Sequence, residues 1–396
     1  MTKKRVIIHI GFHKTGSSAL QTFFSENVDA LLAAGIDYPY PEPESVVSVG
    51  SCSGNVVQVL YRDGFMSGFQ RTREQGWQRI SPAFARRLVE VVKASEKDVV
   101  LLSAEMLANA PQESLAELVA GFSDDDLTFV CFVRDPFDFA YSCWRQQAKD
   151  GVRKKLLADY IRWAFEDRRI LSMFKAFPRF KALGVPLVVV RYESHRANVA
   201  KAFFEATGLA DTFGQAPIAI PREANRSLTG SEALMATTLA AHMRPDFVAT
   251  FIRSALARTH REEAPFYDRE MHQILLDRFE SVIAQINEYL PEADRLVTKT
   301  RPGPNIPLSI GRAEVELHLD LLKKHPPPSR ALRLKSALHP LVERLRRAVG
   351  QSSRLPPDFD GAAYLFHNPD VAEAMVDPGR HYLDTGHAED RRYRFH

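Results

Sequence analysis

The chain has 396 residues, 45% hydrophobic and 26% charged. That profile belongs to a soluble globular protein with a core of normal size and about two to three domains, and it excludes disordered, collagen-like and coiled-coil chains. Lys plus Arg number 52 against 49 Asp plus Glu, a net charge of +3 that gives no general reason to expect nucleic-acid binding.

In chain order, Lys4 to Ile10 is β-branched and reads as a buried strand. Gly11 to Ser18 is a turn-rich loop, and Ala19 to Ala33 carries Leu20, Phe23, Phe24, Val28, Leu31 and Leu32 at helical spacing before Gly35 ends it. Asp37 to Gln78, rich in Pro, Gly and Ser, carries no assignable pattern. Ser81 to Ser95 predicts a helix with Ser81 as cap and Pro82 at its first position. Asp98 to Ser103 is a second buried strand, Glu113 to Gly121 a helix, and Leu127 to Val133 a third strand leading into a helix through Gln147. A helical stretch over Tyr160 to Leu183 precedes a fourth strand, Pro186 to Arg191, and a helix from Ala197 to Gly208. Strands alternating with helices imply an α/β fold, a parallel sheet covered on both faces.

Ser231 to about Leu290 reads as helical throughout, and residues 303–328, with Gly303-Pro304, Pro307 and Pro326-Pro327-Pro328, read as a linker. The expected domains are therefore 1–300, a Pro-rich linker and basic helix over 301–354, and a small C-terminal module over 355–396. Leu321 to Leu355 holds nine basic residues and one acid, Glu343. Leu332, Leu334, Leu338, Leu341 and Leu345 make a solvated helix with one core face the favoured reading, over a surface for acidic glycan or anionic lipid.

Cys52, Cys131 and Cys143 are too few for a disulfide scaffold and wrongly spaced for zinc; a reducing, cytoplasmic compartment fits. The run Val6 to Ile10, broken by His9 and followed by His13 and Lys14, is too short for a signal segment, and no stretch approaches the ~18 apolar residues of a membrane span. No metal is expected: His9 and His13, four apart, straddle a strand and a loop rather than sharing a helix face.

The chemistry is expected in Gly11-Phe12-His13-Lys14-Thr15-Gly16-Ser17-Ser18. Strand, Gly-rich loop and helix make an anion site, because loop amides and the positive helix end converge there. A nucleotide-triphosphate loop reads G-x-x-x-x-G-K-[ST]. Here Ser17 holds the lysine position and the cation lies three residues earlier, at Lys14. Lys14 to Ser18 after a strand resembles the 5′-phosphosulfate loop of sulfotransferases that use 3′-phosphoadenosine 5′-phosphosulfate. Arg134-Asp135-Pro136 with Ser142 looks like that family's 3′-phosphate motif. An arginine fork at a strand end suits a phosphate, and a serine about two helical turns on can present its hydroxyl to the same face. Val188 to Glu193 is similar to the family strand ending in Tyr-Glu, where Tyr192 would lie near the adenine; Asn225-Arg226-Ser227-Leu228 resembles a segment of bacterial members, where Arg226 would add a cation near the nucleotide.

The resemblance, in islands over residues 4–290, implies a P-loop-type parallel sheet and sulfuryl transfer from that donor to a hydroxyl or amine, with a carbohydrate as the expected acceptor. It implies Lys14 on the leaving oxygen, Thr15, Gly16, Ser17 and Ser18 around the 5′ end, and no metal. A base must take the acceptor's proton. Glu105, after the second strand, and His13, beside Lys14, are the two candidates; the histidine that small-molecule members carry near the second strand is replaced here by Ser103-Ala104-Glu105, and an acid within Asp37 to Gln78 stays open. The aromatic tail from Asp358 to Gly386 resembles a short module of bacterial glycan-associated proteins and is expected to form a mini-core. Two other functions compete: a P-loop kinase or NTPase with Asp135 as magnesium ligand, and a non-catalytic protein binding sulfated or phosphorylated glycan through Arg134 and the basic segment.

Overall fold

The computed structural model describes residues 3–48, 53–65, 80–151, 155–166, 172–213, 227–258 and 265–324, with residues 359, 364, 367, 368, 371, 378–382 and 391. Two compact units divide the chain. One gathers residues 1–143, 161–226 and 269–302, the other 144–160, 227–268 and 303–396.

The first unit is built on a five-stranded parallel sheet in the order β2-β3-β1-β4-β5. Its strands are β1 (Arg5–Ile10), β2 (Ile36–Asp37), β3 (Val99–Ala104), β4 (Asp126–Val133) and β5 (Leu187–Arg191). The near-continuous apolar runs follow from burial on both faces. Ile7, Leu101, Val130, Phe132 and Val190 pack with α1 (Ser17–Glu26), α2 (Val28–Ala33) and, after β5, the helix Val199–Ala206. On the other face Phe129 of β4 meets Phe180, ring centroids 5.2 Å apart. Phe180 belongs to the helix Ser172–Lys181, which packs against Arg269–Asn287 through the stacked rings of Phe174 and Phe279, 4.4 Å apart. The expected parallel α/β sheet is therefore present, with one more strand than the sequence predicted.

Several local expectations need correction. The helix foreseen over Ala19 to Ala33 is two helices, because Asn27 leaves helical geometry at φ −116° and its side chain donates to the Phe23 carbonyl at 2.8 Å. The stretch Tyr160 to Leu183 divides into Leu157–Glu166 and Ser172–Lys181, and Ser231 to Leu290 into Gly230–His242, Pro245–Ala257 and Arg269–Asn287. Pro245 opens a new helix at its first position, and Thr229 caps Gly230–His242 in a reciprocal box with Glu232. Residues read as a linker include the helix Arg312–Lys324, which buries Glu314, His318 and Leu321. Residues four and three apart share one helical face, and this face packs on Pro245–Ala257 and Gly230–His242 within the second unit. Two of its three buried positions are polar, so its buried seam carries no apolar signature. The helix Pro82–Ala94 forms as expected, the Ser81 hydroxyl accepting from the Phe84 amide at 3.2 Å.

In the tail, Phe359, Tyr364, Val371 and Tyr382 are buried together, and Tyr364 Oη pairs with His381 Nδ1 at 2.8 Å. Residues 325–355 of the basic segment lie outside the described residues, as do Cys52, Asn225 and Arg226. Among the described residues, no helix is long and apolar enough to cross a membrane, and no cluster of three His, Cys, Asp or Glu could hold a metal ion.

Candidate functional site

Four parallel strands end on one edge of the sheet, and each delivers a chemistry-bearing residue there. β3 is followed by Glu105, β1 by the loop holding His13 and Lys14, β4 by Arg134, and β5 by Tyr192. The pairings Ile10 with Ala104, Ile10 with Cys131 and Val133 with Arg191 bring these ends to one edge, β4 and β5 running two residues past β1 and β3.

The loop is shaped from within by Phe12, which is fully buried. Its carbonyl accepts from Thr15 Oγ1 at 2.7 Å and from Ser17 Oγ at 2.9 Å. Each hydroxyl has one proton, so Thr15 and Ser17 have only their backbone amides left to donate to an anion in the loop. Gly16 sits at φ 84°, and a Cβ there would lie 2.9 Å from Val199 Cγ1 and 3.0 Å from Tyr192 Cε2. Only glycine satisfies both the left-handed backbone and that approach. Gly16 also precedes α1 without a side-chain cap, and α1 has no acid in its first turn. The positive end of α1, which begins with Ser17 and Ser18, thus faces the loop without a counter-charge from its own first turn. Lys14 carries φ 62°, a left-handed conformation uncommon for a residue with a side chain.

Arg134 Nη1 donates to the Lys14 carbonyl at 3.0 Å. The same guanidinium lies 5.1 Å from the Tyr192 ring centroid. Its Nε is 3.3 Å from Glu193 Oε1, an ion pair without hydrogen-bond alignment. Glu193 is a hub the sequence reading quoted only as the end of a strand: it also accepts from the Asp135 amide at 3.2 Å and from Arg191 Nε at 3.4 Å. Burial raises the Glu193 carboxyl above its ordinary value, a shift the Arg134 charge only partly offsets. One chain of contacts therefore joins Lys14, Arg134 and Tyr192, with Gly16 packed against Tyr192. Ser142 is buried on the helix Pro136–Lys149 and is not part of that chain.

Asp135 is fully buried. Its Oδ1 accepts from the amides of Phe137 and Asp138 at 2.9 and 3.2 Å, capping the helix, and its Oδ2 lies 3.6 Å from His272 Nε2. Burial pushes this carboxyl up, but His272, the Asp138 amide and Arg301 outweigh it and hold the group below its ordinary value.

His13 Nδ1 and Glu105 Oε2 are 2.7 Å apart, so the two candidate bases are in contact. Sequence reasoning also missed Glu42, in the unassigned segment. Its Oε1 accepts the amides of Ser53 and Gly54 and holds that loop in place. Asn55 went unnoticed too: its side chain donates to the Leu101 carbonyl at 3.0 Å and accepts from the Ser103 amide at 2.8 Å. It pairs with the stretch of β3 that the two-residue β2 leaves uncovered.

No protein-family model and no curated protein matches this sequence. Among solved structures, a sulfotransferase from Alicyclobacillus acidocaldarius is similar, with TM-score 0.38 and 11% identity over 73% of this chain and 96% of that one. A likeness so distant carries no assignment.

Proposed function

We propose that the chain transfers a sulfuryl group from 3′-phosphoadenosine 5′-phosphosulfate to a hydroxyl or amine of an acceptor, with a carbohydrate as the favoured class. The observation that carries this reading is the Arg134 bond to the Lys14 carbonyl, which links the two phosphate motifs recognised separately in the sequence. An anion cradle with a relocated lysine, an arginine fork and an aromatic ring match the parts of such a donor: sulfated 5′ end, 3′-phosphate and base. In this reading the amides of Thr15, Gly16, Ser17 and Ser18 hold the 5′ end. The Lys14 ammonium stabilises the bridging oxygen as it becomes anionic. Arg134 and Ser142 hold the 3′-phosphate, Tyr192 stacks on the adenine, and Arg226 adds a further cation.

The kinase or NTPase reading is disfavoured by Asp135, whose carboxylate already caps a helix. The binding-protein reading leaves the relocated lysine and its loop without a purpose. Calorimetry with 3′-phosphoadenosine 5′-phosphate tests the proposal. The chain binds it, and Lys14→Ala and Arg134→Ala each weaken binding by about tenfold to a hundredfold, the scale of one charge-assisted contact. No heat at millimolar ligand rejects the reading. A panel of mono- and disaccharides with labelled sulfate donor then names the acceptor.

A further inference from the structure

We propose, resting on the sulfuryl-transfer reading, that His13 and Glu105 act as one dyad in which His13 is the base and Glu105 its positioning residue. The sequence offers them as rivals; their 2.7 Å contact makes them partners. An ionised carboxylate only accepts hydrogen bonds, so the ring nitrogen touching it, Nδ1, carries the proton. The neutral ring then bears its lone pair on Nε2, the nitrogen a base uses. Both side chains are 28% exposed, enough for a substrate to reach the ring and enough burial to fix it.

The backbone around the pair is built for this contact. The Gly11 amide donates to the Ala104 carbonyl at 3.2 Å, tying the end of β1 to the end of β3. A Cβ on Gly11 would lie 3.1 Å from the Cα, Cγ and N of Glu105. Glycine here lets the carboxylate come up to the loop. The neighbouring groups have other tasks. Asp135 caps a helix, Glu193 holds Arg134 and Arg191, and Glu42 binds two amides. His9 lies wholly inside, its Nδ1 paired with Ser103 Oγ at 2.8 Å.

The step balances without a further reactant. The acceptor oxygen forms a bond to sulfur while the bond from sulfur to the bridging phosphate oxygen breaks. The electron pair of that bond stays on the bridging oxygen, giving 3′-phosphoadenosine 5′-phosphate. The acceptor's proton passes to His13 Nε2, and the imidazolium beside Glu105 later releases it to water. Lys14, next in the chain, meets the leaving oxygen, so consecutive residues serve the entering and leaving groups.

Two measurements on the full chain test the dyad. Nitrogen-15 spectra of the ring, with His13 identified by its loss in His13→Gln, give the Nδ1-protonated tautomer without nucleotide, and Glu105→Gln or Gly11→Ala shifts it toward Nε2. A wild-type ring protonated on Nε2 overturns the proposal. In turnover of the sulfate donor with pooled mono- and disaccharides, His13→Gln lowers kcat by about a hundredfold to ten-thousandfold while the dissociation constant of 3′-phosphoadenosine 5′-phosphate stays within about threefold. Glu105→Gln loses less, and free imidazole partly restores His13→Gly. Wild-type kcat in His13→Gln refutes the base role. If the wild-type chain binds no nucleotide, the sulfuryl-transfer reading and the base role fall together, whereas nucleotide binding with an unaffected His13→Gln sinks the dyad alone.

Discussion

Burial holds the His9 imidazole down at about 4, against a weaker upward pull from Glu105. His9 sits on β1 with Phe132 and Phe203 edge-on at 6.1 Å each, so a charged ring would have few compensating partners. The sign follows directly. The unfolded chain takes up this proton as pH falls through about 6.5, and the folded chain resists until about 4. The stability it contributes is complete above the unfolded value and is lost as pH falls across that window, by at most roughly 3 kcal/mol. His9→Asn keeps a polar atom near Ser103 and removes the titration. Urea midpoints at about pH 7.5 and about pH 5 should therefore move less in His9→Asn than in the wild type. An identical shift in both would show that His9 is not the group responsible. The strand, glycine-bounded loop and helix around Lys14 were legible at this scale, because glycines between a strand and a helix restrict the local backbone. The Lys14–Arg134 bond was not. It joins a carbonyl to a guanidinium 120 positions away, and a peptide carbonyl has no sequence signature.

At the scale of elements, one edge of β3 is completed by a single side chain beyond the reach of β2. Asn55 satisfies one donor and one acceptor of that strand where β2 is too short to reach. Asn55→Ala leaves both groups buried and unpaired, a cost of about 2–5 kcal/mol. Asn55→Asp keeps the acceptor but turns a carboxylate oxygen toward the Leu101 carbonyl at a fully buried site, so its cost should be at least as large. Chemical denaturation reads both, and a negligible loss in Asn55→Ala would mean that water replaces the amide. The long apolar strands were plain in the sequence because burial on both faces leaves little choice of residue. The short β2 and the helix Asn55–Arg62 were hidden among Pro, Gly and Ser, since their places come from contacts with β3 rather than from local propensity.

Across the whole molecule, the alternation of strand and helix announced the sheet, while the grouping of later segments did not show. The helix Arg312–Lys324 illustrates why. Glu314 and His318 occupy its buried seam, and burial lowers His318 to about 4 and raises the Glu314 carboxyl. A seam of that kind reads as a solvated linker when periodicity is counted in apolar residues. Leu321, 5% exposed, distinguishes packed helix from linker. Leu321→Ala should cost about 2–4 kcal/mol in the thermal unfolding of the full chain. A linker would lose almost nothing.

Lys14 keeps a left-handed backbone although it bears a side chain. That conformation costs an L-residue roughly 1–2 kcal/mol, which glycine would recover. Any programme of thermal hardening that relaxes strained positions would select this residue early, and in doing so would delete the ammonium. On the role proposed for Lys14, robustness and turnover compete for one codon, and a heat-tolerant version of this protein has to find its gains elsewhere.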